Sequence, residues 1–129
     1  MTFITTKRVY APIDNNEGVR VLVDRLWPRG VSKQAIKADH GLREVAPSDQ
    51  LRQWFGHDLN RWDGFKQPYF EELQAKPELI NFLLELARAK GLVLLFSARD
   101  LHCNQAIALQ QYLSSLIQKT KGARQDNGR

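Results

Sequence analysis

Two clusters of polar side chains in this 129-residue chain close runs of apolar residues, and both contain groups able to do chemistry. The first ends the stretch Gly18-Val-Arg-Val-Leu-Val-Asp-Arg-Leu-Trp-Pro-Arg-Gly30 and supplies Asp24, Arg25, Trp27 and Arg29. The second follows Leu92-Val-Leu-Leu-Phe96 and supplies Ser97, Arg99 and Asp100. Arg25, Arg29 and Arg99 are of the type that grips phosphate or carboxylate in bidentate fashion. Their alternative use is internal, with Arg25 or Arg99 paired to Asp24 or Asp100 to hold loops together. Asp24 is either a general base or a structural acceptor of backbone amides. Trp27 can stack on a flat ring or seal a strand end by packing.

Other reactive types are scattered. Cys103, beside the start of a helical pattern, can act as a nucleophile if its thiol is acidified, or can simply be a small buried side chain. His57, in a Trp-Phe-Gly-His-Asp loop, can transfer protons or hydrogen-bond Asp58, and His40 and His102 are further titratable groups. No metal-ligand spacing, glycine-rich phosphate loop or cofactor signature is present. The weak catalytic candidates are thus Asp24, His57 and Cys103. The ligand-binding set is Asp24, Arg25, Trp27, Arg29, Ser97, Arg99 and Asp100.

These groups need elements to position them. The patterning predicts a first strand over Phe3 to Val9, a second from Val19 and a third over Leu92 to Phe96. Asp14-Asn-Asn-Glu-Gly18 is a turn-rich loop. Because so few residues separate the first two strands, an antiparallel pairing is expected if they are neighbours. Ser32 caps a short helix through Ala38. Ser48 caps a second over residues 49–55, with Gly56 as its stop. A third, from Asn60, carries Trp62, Phe65, Tyr69, Phe70 and Leu73 on one face. Pro68 predicts a kink or a fresh start there. Trp54 and Trp62 read as core. Pro77 opens a fourth helix to Lys90, with Leu79, Phe82, Leu83 and Leu86 as its buried stripe. A last helix runs from about Cys103 to Leu116 or Ile117, burying Ala106, Leu109, Leu113, Leu116 and Ile117.

The fold class is α/β, a small mixed sheet with at least two parallel buried strands flanked by helices. The Val19 and Leu92 strands are the parallel pair, and their carboxyl ends share one edge, where open α/β folds place ligands. Residues 1–118 form a single domain, and 119–129 a basic, disordered tail.

The formal net charge of +5 is unevenly spread. Residues 119–129 carry +3, residues 20–43 carry +4 and residues 44–86 carry −4. This local polarity favours a small anionic or phosphorylated ligand at the shared strand edge, bound and open to transformation there. The alternative is a non-enzymatic nucleic-acid-binding or regulatory module using residues 20–43 and the tail. A single cysteine, no apolar leader and no run long enough for a bilayer point to a cytoplasmic protein without membrane contact.

Val-Leu-Val-Asp-Arg-Leu-Trp-Pro-Arg-Gly, Ala46-Pro-Ser, Leu51-Arg-x-Trp-Phe-Gly-His57 and Leu94-Leu-Phe-Ser-Ala-Arg-Asp100 occur in collinear order. With them the chain resembles the YeaO-like family of small bacterial proteins over roughly residues 5 to 117. The resemblance implies a small α/β domain of unknown function in a prokaryotic cytoplasm, with no established activity, substrate or cofactor. Pro68 and Cys103 depart from the family's usual pattern. A wider set of relatives couples a Val-Asp-x-Arg strand end to a later Cys-His-Arg segment. Here Cys103 is followed by Asn104 and Gln105.

Overall fold

The computed structural model describes residues 3–14 and 17–127, with side chains as far as Lys119. Four strands, β1 (Ile4–Arg8), β2 (Val19–Leu22), β3 (His40–Gly41) and β4 (Leu92–Phe96), form one sheet in the order β1-β4-β2-β3. All its pairings are parallel, so the sheet is uniform rather than mixed. β1 and β2 are not neighbours: β4 lies between them, aligning Leu92 with both Ile4 and Val19. The condition for an antiparallel pairing, that the two be neighbours, is therefore not met.

Alternation along β4 explains how a wholly buried strand serves two cores. Leu92, Leu94 and Phe96 join the larger one, with Val21, Val23 and the helices α2 (Asp49–Phe55), α3 (Trp62–Gln74), α4 (Pro77–Lys90) and α5 (Gln105–Asn127). Val93 and Leu95 face the other side and pack with Val9, Leu22 and Ile36 of α1 (Lys33–Ile36). Covering both faces is what a parallel sheet requires.

The helix boundaries follow local chemistry. Ser32 Oγ accepts from Ala35 N, and Ser48 Oγ accepts from Leu51 N, each capping its helix. Gly56, in the left-handed conformation, closes α2, and Gly91 closes α4. Asp58 caps a 3-10 turn over Leu59–Arg61 that leads into α3. Rather than restarting at Pro68, α3 continues through it as one helix. Phe65, Tyr69 and Leu73, on either side of the proline, are buried in the same core and hold both halves in register.

The buried stripe of α4 is Ile80, Leu83, Leu84 and Ala87, rotated by about one position from the expected one. Trp54 is exposed rather than core, with the Arg61 guanidinium 5.3 Å from its ring centroid, whereas Trp62 packs partly against the core. α5 buries Ala106, Leu109 and Leu113 as expected, with Leu116 and Ile117 packed at the margin. Its backbone stays helical to Asn127, through most of the segment expected to be a disordered tail. Residues 128 and 129, like Asn15 and Asn16 of the turn-rich loop, lie outside the described residues.

Among the described residues, no helix is long and apolar enough to cross a membrane.

Candidate functional site

Because β1, β2 and β4 are parallel, their carboxyl ends deliver Tyr10, Asp24 and Ser97 to one edge. A cleft of about 390 Å³ opens there, between the β2 end and α2. It collects Asp24, Arg25, Trp27, Arg29, Ser97 and His57 from the expected residues, and adds Tyr10, Arg52 and Gln105. Arg99 and Cys103 do not line it, and neither does Asp100.

Asp24 forms the polar floor. Its Oδ2 accepts from the Ser97 backbone N–H at 3.1 Å and from Ser97 Oγ at 2.5 Å, and its Oδ1 accepts from Gln105 Nε2. These bonds tie the β2 end to the β4 end and to the first turn of α5. Burial pushes the Asp24 carboxyl above its ordinary range, against the opposing pull of the Ser97 and Gln105 hydrogen bonds and the Arg52 charge. A carboxyl raised in the folded state contributes stability that is full below its ordinary pKa and lost as pH rises through the raised one. Asp24→Asn removes this ionisation, and its side-chain oxygen still accepts from Ser97 once the Gln105 amide flips. Melting temperatures measured from pH 4 to 8 should fall less with rising pH in D24N than in the parent. Identical slopes would remove the raised carboxyl from the account.

The arginines have different roles. Arg25 turns toward the chain, Nε donating to the Pro47 carbonyl at 3.2 Å, and lies 3.6 Å from Asp49. It braces the Ala46-Pro47-Ser48 wall of the cleft. The same wall is fixed from α3 by Glu72, whose carboxylate accepts from Ser48 N and Ser48 Oγ at 2.8 and 2.6 Å. Among the described residues, Arg52 is anchored only at an exposed pair with Asp49, 3.1 Å away. Arg29 is exposed and has no ion-pair partner among the described residues. Arg8, at the end of β1, donates to the Ala98 and Ser97 carbonyls at 2.9 and 3.1 Å and lies over the Tyr10 ring.

The remaining candidates have structural surroundings. Asp100 Oδ1 accepts from the His102 and Cys103 amides, each at 2.8 Å, and these bonds hold its carboxyl below the usual range. The helix itself is capped by Asn104, whose Oδ1 accepts from Ile107 N. Burial pushes the Cys103 thiol up, and the Asp100 carboxylate pushes it further, so this is the reverse of an activated nucleophile. His57 sits in the left-handed conformation beside Phe55. Asp58 accepts from Asn60 N and pairs with Arg61 at 3.7 Å, rather than serving as the hydrogen-bond partner offered as one alternative for His57. No group of three or more His, Cys, Asp or Glu side chains among the described residues is arranged to hold a metal ion.

Not every cation of the basic 20–43 segment is on the surface. Arg20 is buried against Glu17 and the end of α1, while Lys33, Lys37 and Arg43 are exposed.

Tyr10, Arg52 and Gln105 were not singled out by the sequence reading. Arg52 belongs to the Leu51-Arg-x-Trp-Phe-Gly-His57 segment, and that was the one available signal.

Similar chains are known by sequence. The chain is 37% identical over 113 residues to the uncharacterized protein YeaO of Escherichia coli, covering 88% of this chain and 98% of that protein. Uncharacterized proteins of Mycobacterium bovis and Mycobacterium tuberculosis are each 35% identical over 113 residues, covering 88% of this chain and 95% of theirs. No solved structure matches. The family model that matches residues 3–128 is described as the inactive DUF488-N3 subclade, and with YeaO over nearly its full length, this chain belongs to that family.

Proposed function

We propose that this domain binds a small anionic ligand in the cleft at the carboxyl edge of its sheet, without transforming it. The observation that carries the reading is the grouping of Arg29 and Arg52 around one opening, neither of them locked into the interior. Guanidinium groups free to reorient form charge-assisted bonds to phosphate or carboxylate oxygens. Arg25 adds positive potential while it braces the wall. Binding is favoured over chemistry because Cys103 does not line the cleft and the family is described as inactive.

The test is calorimetric titration with inorganic phosphate, pyrophosphate and citrate at low ionic strength. At least one should bind, and the double variant Arg29→Ala/Arg52→Ala should weaken it by about tenfold or more. Because both side chains are exposed, the double variant should melt close to the parent. D24N should tighten the same anion by removing a negative charge from the floor. Binding that ignores the double variant, or no binding by any of the three anions, overturns the proposal.

A further inference from the structure

The anion-binding reading leaves the apolar side of the cleft without a task, and that side has an unusual construction. Tyr10 and Trp27 are 49% and 47% exposed, although both are large and both line the opening. Their polar atoms are already committed to the chain. The Trp27 indole N–H donates to the Val31 carbonyl, and the Tyr10 hydroxyl donates to the Arg29 carbonyl at 3.1 Å. Both bonds fix the turn that carries Arg29, and both fix the rings. Leu26, 63% exposed, extends the same surface.

With the polar edges satisfied, the rings offer solvent only carbon surface. A charged ligand lacking apolar area would leave that surface wet. The Arg8 guanidinium, held by two carbonyls, lies 4.7 Å from the Tyr10 centroid and covers one of its faces. Rings oriented in advance lose little entropy when a second planar group stacks on them. Stacking on such a platform tolerates many ring types.

We infer that the ligand joins a planar aromatic ring to a phosphate or carboxylate, the ring lying on Trp27 and Tyr10 and the anion on Arg29 and Arg52. This rests on the anion-binding reading and adds the chemical class of the ligand. Matched probe pairs separate the two claims: phenyl phosphate against methyl phosphate, and adenosine 5′-monophosphate against ribose 5-phosphate. Calorimetry on the full chain should show at least one aromatic member binding about tenfold or more tighter than its partner, the effect of one stacked ring. Trp27→Ala should collapse that difference, lowering the affinity of the aromatic member by more than that of its non-aromatic partner, whose loss reads the loosened Arg29 turn. Trp27→Phe, which keeps a ring but not the Val31 bond, should retain part of the difference. If both members of each pair bind equally, and with the same dependence on Arg29 and Arg52, the aromatic inference fails and the anion site stands. If no probe binds, both fail.

Discussion

Arg20→Ala should cost about 3–5 kcal/mol of unfolding free energy, the expected penalty for breaking a buried ion pair from one side. Arg20 is 5% exposed although it sits within a strand of a small domain. Its guanidinium closes the end of α1, donating to the Ile36 carbonyl at 2.7 Å and the Lys37 carbonyl at 3.2 Å, and pairs with Glu17. Lys37 adopts the left-handed conformation at that point, so the arginine holds a chain reversal as well as a charge.

Truncation leaves these carbonyls without their donor. It also removes one of the two cations that Glu17 touches, the other being Lys7 at 2.6 Å. Burial alone pushes the Glu17 carboxyl up, but its hydrogen bonds from Lys7 and Arg20 outweigh that and hold it below the ordinary range. A depressed carboxyl contributes stability above its ordinary pKa and loses it as pH falls through the lowered one. The gap between parent and variant should therefore be widest near neutral pH and narrow in acid. Arg20→Lys restores charge but not the planar fork, and should recover only part of the loss. Urea unfolding at pH 7 and pH 3 reads all three chains. A penalty at pH 7 below about 1 kcal/mol, the scale of a surface pair, would mean that water replaces the guanidinium.

Phe65→Ala should be comparably damaging, at about 3–5 kcal/mol. Phe65 is fully buried where the cleft meets the core, stacked on Phe55 at 4.6 Å and flanked by Tyr69 at 5.5 Å and Trp62 at 5.8 Å. Deleting the ring opens a void beneath the cleft, and the neighbouring rings cannot all move to fill it. Phe65→Leu keeps most of the volume and should cost far less. The pair of variants, compared by urea unfolding and by anion titration, separates the two roles of this position. If F65A loses stability but binds as well as the parent at low temperature, the floor does not shape the site. An F65A penalty no larger than that of F65L would show that the ring stack contributes little.

How far the chain announces this arrangement depends on how local each signal is. β2 and β4 were legible because a strand buried on both faces needs a continuous apolar run, which Val21 to Val23 and Leu92 to Phe96 provide. The caps at Ser48 and Ser32 and the stops at Gly56 and Gly91 were legible because capping chemistry lies within a few residues. β3 was not: two residues, His40 and Gly41, have no pattern, and their pairing exists only because Val21 and Leu22 lie alongside. The stripe of α4 was misplaced because Leu79, Ile80, Phe82, Leu83, Leu84 and Leu86 crowd more than one face, leaving its rotation to be set by neighbours such as His40 against Phe82. In the site, Asp24 and Ser97 stood out as strand ends. Arg52 did not, since an arginine on a polar helix face looks the same whether or not a strand end lies opposite.

The strand order also has a temporal side. β4 is the partner of both β1 and β2, yet it comes last of the four strands in the chain. While the polypeptide is being made, β1 and β2 wait without a mate, and only the two-residue ladder between β2 and β3 is within reach. The central pairings close loops from Ile4 to Leu92 and from Val19 to Leu92 in a single late event. Non-local closure of this kind is slow. The central sheet therefore waits for β4, and the cleft, built from three strand ends, takes shape only once that strand is in place.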